Sequence, residues 1–195
     1  MQISINPATG EVLKEYPVHS AAEAEAIVAQ AHNCFLTWRR TSFEERAKYL
    51  HKVSDVILKR KDEYALLIAK EMGKTIKEGI AELDKCASTA RFFADNAHVF
   101  LADQQVKTEY QKSYVTFQPL GVILGVMPWN FPFWQVLRFV IPSLMAGNTC
   151  LLKHASNVPG CAMAIEAIIR EAGLPEGAFR TLLIPGSRVE SIISD

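Results

Sequence analysis

Two prolines bracket an amide in Pro128-Trp129-Asn130-Phe131-Pro132. Each ring fixes its own φ, so the turn is rigid and holds the Asn130 side chain at a set position. An amide NH2 held in that way can stabilise an oxygen that gains negative charge during a reaction. The same Asn could instead cap a helix begun by Pro132. Asn130, Trp134 and Arg138 are spaced by four and share one helical face if the helix starts at once. Arg138 stands among Val136, Leu137, Phe139 and Val140. Its guanidinium either snorkels to water or grips a carboxylate through its two-pronged donor edge.

Cys34, Cys86, Cys150 and Cys161 are the candidate nucleophiles. None belongs to a C-x-x-C pattern or to a Cys/His pair with zinc spacing, so no metal site is expected. Free thiols of this kind usually pack as small apolar groups. Cys161 follows Pro159-Gly160 near a helix start, where the macrodipole lowers a thiol pKa, but no base stands close to it in sequence.

These residues need elements to position them. Ile3 and Ile5, the turn Asn6-Pro7-Ala8-Thr9-Gly10, then Val12 and Tyr16 read as a short hairpin over residues 2–18. Ser20, Ser42 and Thr75 each precede a Glu by three residues, the capping-box signature of a helix start. A further helix, Lys61 to Met72, stops at Gly73. The stripe Ile76, Ile80, Leu83, Ala87, Ala90, Ala94, Ala97 marks a long helix that packs between other elements. After Gln104 the pattern changes. Ser113 to Phe117 alternates like a strand. Gly121 to Met127 is a continuous apolar run, expected to be a strand covered on both faces. A helix to about Met145, bent or broken at Pro142, leads to a strand at Thr149–Lys153. A helix at Pro159–Glu171, a strand at Thr181–Ile184 and a helix opened by a capping box at Ser187 follow. This β-α-β-α-β-α order predicts a parallel sheet. The fold class is α/β: a helical N-terminal region plus an incomplete Rossmann-like parallel sheet. The expected divisions are 1–106, 107–120 and 121–195.

Open sheets of this class bind ligands beyond the carboxyl ends of their strands. Three strand-to-helix links lie there, at Met127–Pro132, Lys153–Pro159 and Pro185–Arg188, and helix starts favour anions. No G-x-G-x-x-G fingerprint occurs, since Gly121 and Gly125 are only four apart. The chain of 195 residues carries 21 basic and 21 acidic side chains, so it has no basic surplus for nucleic acid. No apolar run approaches the roughly 18 to 20 residues of a membrane span. No secretory signal pattern opens the chain, which makes cytoplasmic the expected location.

The run GVILGVMPWNFPFWQVLR, with AGNTCLLKHASNVPG and AGLPEGAF after it, closely resembles the NAD(P)-dependent aldehyde dehydrogenase superfamily. Glu71-Met72-Gly73-Lys74 with Glu78 and Glu82 is similar to the same family. Within it, Lys153-His154-Ala155 resembles the bacterial succinate-semialdehyde dehydrogenases. The resemblance implies a truncated aldehyde dehydrogenase fold and a small aldehyde substrate, with NADP or NAD as cofactor. It gives Asn130 the role of oxyanion donor. It lays Met127, Pro128, Trp129 and Asn130 along the nicotinamide half of the cofactor. It sets Lys153 on the adenosine ribose hydroxyls, with His154, Ala155, Ser156 and Gly186 in the same binding set. Ser156 stands where many NAD-preferring members carry Glu, which implies acceptance of NADP. Arg138, with Trp134, matches the group that holds a substrate carboxylate.

The family's nucleophilic Cys, general-base Glu and Gly-Ser motif have no match in this chain; in relatives they lie beyond the position of Asp195. The resemblance therefore implies the N-terminal portion of an enzyme that oxidises succinate semialdehyde to succinate, inactive on its own. The alternatives are a non-catalytic half of a split enzyme and a decayed or truncated remnant. The implied partners are a complementing C-terminal half and further copies of the chain, with Lys107 to Gln118 as part of an oligomerisation arm.

Overall fold

The computed structural model describes residues 1–194; the final residue, Asp195, lies outside the described residues. Gln2–Ile5 (β1) and Val12–Tyr16 (β2) pair antiparallel, as the hairpin pattern predicts. Four helices follow: α1 (Ala21–Trp38), α2 (Phe43–Lys59), α3 (Lys61–Met72) and α4 (Ile76–Phe100). At the start of α1 the box is reciprocal, with the Glu23 N–H on Ser20 Oγ (3.2 Å) and the Ser20 N–H on Glu23 Oε2 (2.7 Å). Ser42 and Thr75 accept the equivalent N–H groups from Glu45 and Glu78. Gly73 closes α3 at φ 79°, a left-handed conformation that glycine adopts without steric cost. The buried stripe of α4 begins at Leu83 and runs through Ala87, Ala90, Ala94 and Ala97; Ile76, expected to open it, is exposed. The small residues let α4 lie close against α2, α3 and α5.

Gln104–Gln105 (β3) and Tyr114–Val115 (β4) form a short exposed ladder. The strand expected over 113–117 is thus only two residues long. The parallel sheet is β5 (Val122–Met127), β6 (Thr149–His154) and β7 (Phe179–Thr181), in the order β5-β6-β7. Its connections carry α5 (Trp134–Met145) and α6 (Pro159–Glu171). The central strand β6 is the one covered on both faces. β5, expected to be so, is an edge strand and half-buried, with Val126 exposed. Asn148 fixes its entry by accepting the N–H groups of Leu120 (2.7 Å) and Gly121 (3.1 Å).

Three further expectations need correction. α5 is not broken at Pro142 and runs on to Met145; the proline removes one N–H to the carbonyl four residues back, and the turn still closes through the Ala146 N–H on the Pro142 carbonyl (2.9 Å). β7 sits two residues earlier than the pattern placed it. Leu183 leaves the ladder to pair with His19, whose N–H donates to the Leu183 carbonyl (2.8 Å) and whose Nδ1 accepts the Leu183 N–H (3.2 Å). Ser187 caps nothing. It lies inside a 3-10 turn, Gly186–Arg188, followed by the five-residue helix α7 (Val189–Ile193). The turn is closed by the Arg188 N–H on the Pro185 carbonyl (3.0 Å), while the Arg188 guanidinium bonds to the His19 carbonyl. No helix among the described residues is long and apolar enough to cross a membrane.

Helix α6 has no side-chain cap from its own flank. Its free N–H groups are taken from another layer. Glu71, 2 % exposed near the end of α3, accepts the N–H of Gly160 (2.8 Å) and of Cys161 (2.7 Å). A Cβ at position 160 would lie 2.7 Å from Glu71 Oε1 and 2.9 Å from the Tyr16 hydroxyl. Gly160→Ala is expected to push Glu71 off the helix start. The loss should be about 1–3 kcal/mol, the cost of unmaking bonds to a buried charged group, read as a lower midpoint in urea unfolding.

Candidate active site

β5 and β6 run parallel in register, with Val126 beside Lys153 and Met127 beside His154. The segments that leave them, Pro128–Phe133 and Ala155–Val158, therefore emerge side by side at one end of the sheet. The Ala155 N–H donates to the Met127 carbonyl (3.0 Å) and ties the two exits together. Pro128, Trp129, Asn130, Phe131 and Ser156 are exposed there, and Lys153 and Met127 are half-buried. β7 delivers Gly186, also exposed, through residues 182–185. The sequence-predicted residues thus collect at the carboxyl end of the sheet.

Asn130 does not cap a helix. α5 begins at Trp134, later than Pro132, and its N-terminal donors are already taken. Glu82, on α4 and 4 % exposed, accepts the N–H of Phe133 (2.8 Å) and of Trp134 (2.9 Å) through Oε1. Its Oε2 accepts from Lys74 Nζ at 2.5 Å. Lys74 also lies 3.7 Å from the centre of the Phe131 ring. His154 Nε2 donates to the Pro132 carbonyl (2.9 Å). Residues 131 to 134 are therefore held one after another, and Asn130 is the exposed residue just ahead of them. Asn130 is not on the helix, so the four-residue spacing puts only Trp134 and Arg138 on a common face.

Two cations lie near Trp134, Lys85 Nζ at 4.1 Å and the Arg138 guanidinium carbon at 5.8 Å from its ring centre. Arg138 is exposed. A cavity of about 380 Å³ opens beside them, lined by Lys74, Glu82, Lys85, Phe131 and Trp134 among others. Sequence reasoning attached no role to Lys74, Glu82 and Lys85. The signal was present: Glu78, Glu82 and Lys85 follow each other at helical spacing, opposite an aromatic run.

Two of the three helix starts expected to bind anions are filled by the protein's own carboxylates, Glu82 at α5 and Glu71 at α6. The thiols are equally committed. All four cysteines are buried. Burial pushes the Cys150 thiol far up, and burial with the Glu71 carboxylate pushes Cys161 well up. The dipole effect expected at Cys161 is outweighed by burial and by Glu71, which accepts the N–H groups at the same helix start. Among these four there is no poised nucleophile.

Burial lowers the pKa of Lys153, and burial outweighs two backbone hydrogen bonds to lower that of His154. The His154 ring is 4 % exposed, and the Pro132 carbonyl, which can only accept, puts a proton on Nε2. A histidine whose folded pKa is depressed leaves the unfolded chain to take up the proton first. Stability is then full above about pH 6.5 and falls as the pH drops below it. His19, also lowered chiefly by burial, adds in the same direction. The unfolding temperature should drop between pH 7.5 and 5.5. The drop should be shallower in His154→Gln, as read by circular dichroism at each pH.

The model of the Aldehyde dehydrogenase family matches residues 2–195. A probable NADP(+) succinate-semialdehyde dehydrogenase of Synechocystis is 51 % identical over 192 residues, 98 % of this chain and 42 % of the relative. The NADP(+) succinate-semialdehyde dehydrogenase of Mycobacterium avium is 47 % identical over 196 residues, with the same coverage. Among solved structures, the succinic semialdehyde dehydrogenase of Streptococcus pyogenes in complex with NADP+ superposes with a TM-score of 0.96. It is 35 % identical and covers all of this chain and 43 % of that one. The chain thus spans about two fifths of the length of these relatives.

Proposed function

The chain belongs to the aldehyde dehydrogenase family, and from that premise we propose that it supplies the oxyanion donor and part of the cofactor cradle for NADP-dependent oxidation of succinate semialdehyde to succinate. The observation that carries this reading is the turn at the carboxyl end of the sheet. Asn130 is presented to solvent there by residues fixed from two sides. An amide held rigidly at that point binds an aldehyde oxygen more strongly as it becomes an anion, which lowers the barrier.

The residues fit the cofactor named in the similar proteins. Lys153 to Ser156 carries one ammonium and one hydroxyl and no carboxylate, a donor set suited to a ribose with a 2′-phosphate. With both helix starts filled, a pyrophosphate has no dipole grip on α5 or α6, in keeping with the missing glycine fingerprint. Met127, Pro128 and Trp129 line the strand exit on which the nicotinamide end would rest, and Gly186 leaves an open backbone on the far side. His154 contributes by holding the Pro132 carbonyl; its ring is buried. When bound, the cofactor accepts the hydride. Arg138, beside Trp134, holds the carboxylate of the substrate. Such an arrangement selects a semialdehyde that bears a second acidic group.

The attacking sulfur and the base have no candidate in this chain. Catalysis therefore needs a complementing C-terminal part, and the unpaired edge of β5 is where its first strand would join the sheet. The isolated chain is expected to turn over no aldehyde. The test uses the chain joined in frame to the part of the Synechocystis relative that follows its matched segment. In that enzyme Asn130→Ala should lower kcat by roughly 10²–10³-fold, the effect of removing one oxyanion donor. Arg138→Met should raise KM for succinate semialdehyde by about tenfold or more and leave an uncharged aldehyde unaffected. Ser156→Glu should weaken NADP more than NAD in calorimetric titration. Wild-type kcat in Asn130→Ala would remove the basis of this reading.

A further inference from the structure

We infer that Lys74 and Glu82 are positioning residues for Asn130, acting as one clamp on the turn; this rests on the oxyanion reading above. Their geometry is directed at the turn from both ends. Glu82 Oε1 receives both leading N–H groups of α5, and its Oε2 receives Lys74 Nζ. The same Nζ sits over the ring of Phe131, the residue next to Asn130. A single ion pair therefore fixes residue 131 by its ring and residues 133 and 134 by their backbone. The pair is shut off from water, with the Lys74 and Glu82 side chains 8 % and 1 % exposed. Bonds of this kind are stronger than neutral ones and keep their geometry. Neither residue touches the reacting atoms; their contribution is the aim of an amide that must meet an oxygen within hydrogen-bond reach. Displacement of such a donor by about 1 Å can cost 10²-fold in rate.

A merely structural role predicts a different pattern of effects, because Glu71 makes the same kind of bond at the start of α6 and provides the control. Two measurements separate the cases. In the isolated chain, amide hydrogen exchange followed by NMR should accelerate about tenfold or more at Phe133 and Trp134 in Glu82→Gln, while Gly160 and Cys161 stay as in the wild type. Glu71→Gln should do the reverse. In the joined enzyme described above, Glu82→Gln and Lys74→Met should each lower kcat about tenfold or more, with KM for succinate semialdehyde within about twofold. Lys74→Arg should recover most of the loss, which a generally destabilised protein would not do. If Glu82→Gln does not fold, Lys74→Met and Lys74→Arg decide the matter alone. The proposal is overturned if exchange quickens equally at both helix starts, or if kcat stays at the wild-type value while Phe133 and Trp134 are released. An Asn130→Ala enzyme with unchanged kcat would instead remove the oxyanion reading, and the role of the clamp with it.

Discussion

Two buried carboxylates hold the helical layer to the sheet layer. Glu71 ends at the start of α6 and Glu82 at the start of α5. A helix start leaves four N–H groups without intrahelical partners and carries partial positive charge. A carboxylate placed there gains two charge-assisted bonds, which offset much of its desolvation. Removing the partner of such a charge costs about 3–5 kcal/mol. Both carboxylates come from one short stretch around the α3–α4 turn, where Gly73 reverses the chain. The α3–α4 corner therefore ties the starts of α5 and α6 to each other, while the β5–β6 ladder fixes the spacing of the two strand exits.

The same arrangement redirects how an anionic ligand is held. Open α/β sheets usually offer helix dipoles to phosphates. Here the dipoles of α5 and α6 are answered from inside the protein, so in the proposed reading recognition falls to side chains on the strand exits, Lys153 and Ser156. Cys161 shows the cost of the device to local chemistry. It sits where a helix dipole would activate a thiol, yet burial, and after it the carboxylate that answers the dipole, raises its pKa. The residues that secure the scaffold thereby silence the one cysteine whose sequence position suggested reactivity.

Much of this was legible in the sequence because it was local. Ser20, Ser42, Thr75 and Gly73 mark the helix ends through bonds to residues three or four positions away, and the structure keeps them. The apolar run at Thr149–Lys153 and the alternation of strands and helices gave the parallel sheet. Failures occurred where a distant residue outbid a local rule. His19 draws Leu183 out of β7 from 164 positions away, and Arg188 turns from a helix box to the His19 carbonyl. Glu71 and Glu82 reach 89 and 51 positions along the chain, a separation that no periodicity encodes. The rigid turn around Asn130 was readable from its two prolines. What holds it in place was not, because Lys74, Glu82 and His154 come from the α3–α4 link, α4 and β6.

If the cavity beside Glu82 takes an acidic aldehyde, as proposed above, the carboxylate poses an electrostatic problem. Unit charges 4 Å apart interact by roughly 4 kcal/mol at the effective dielectric near a protein surface, so Glu82 alone would repel an anionic ligand there. Lys74 removes the conflict. Its ammonium lies against Glu82 and is itself nearly buried, so the pair presents little net charge to the cavity. Of the other charges, Lys85 and Glu78 line the cavity and Arg138 packs near Trp134 outside its lining. On the reading proposed above, selectivity for an anionic substrate and rigidity of the oxyanion turn are compatible because the internal ion pair is neutral as a unit, so the group that fixes the turn adds no net charge to the cavity.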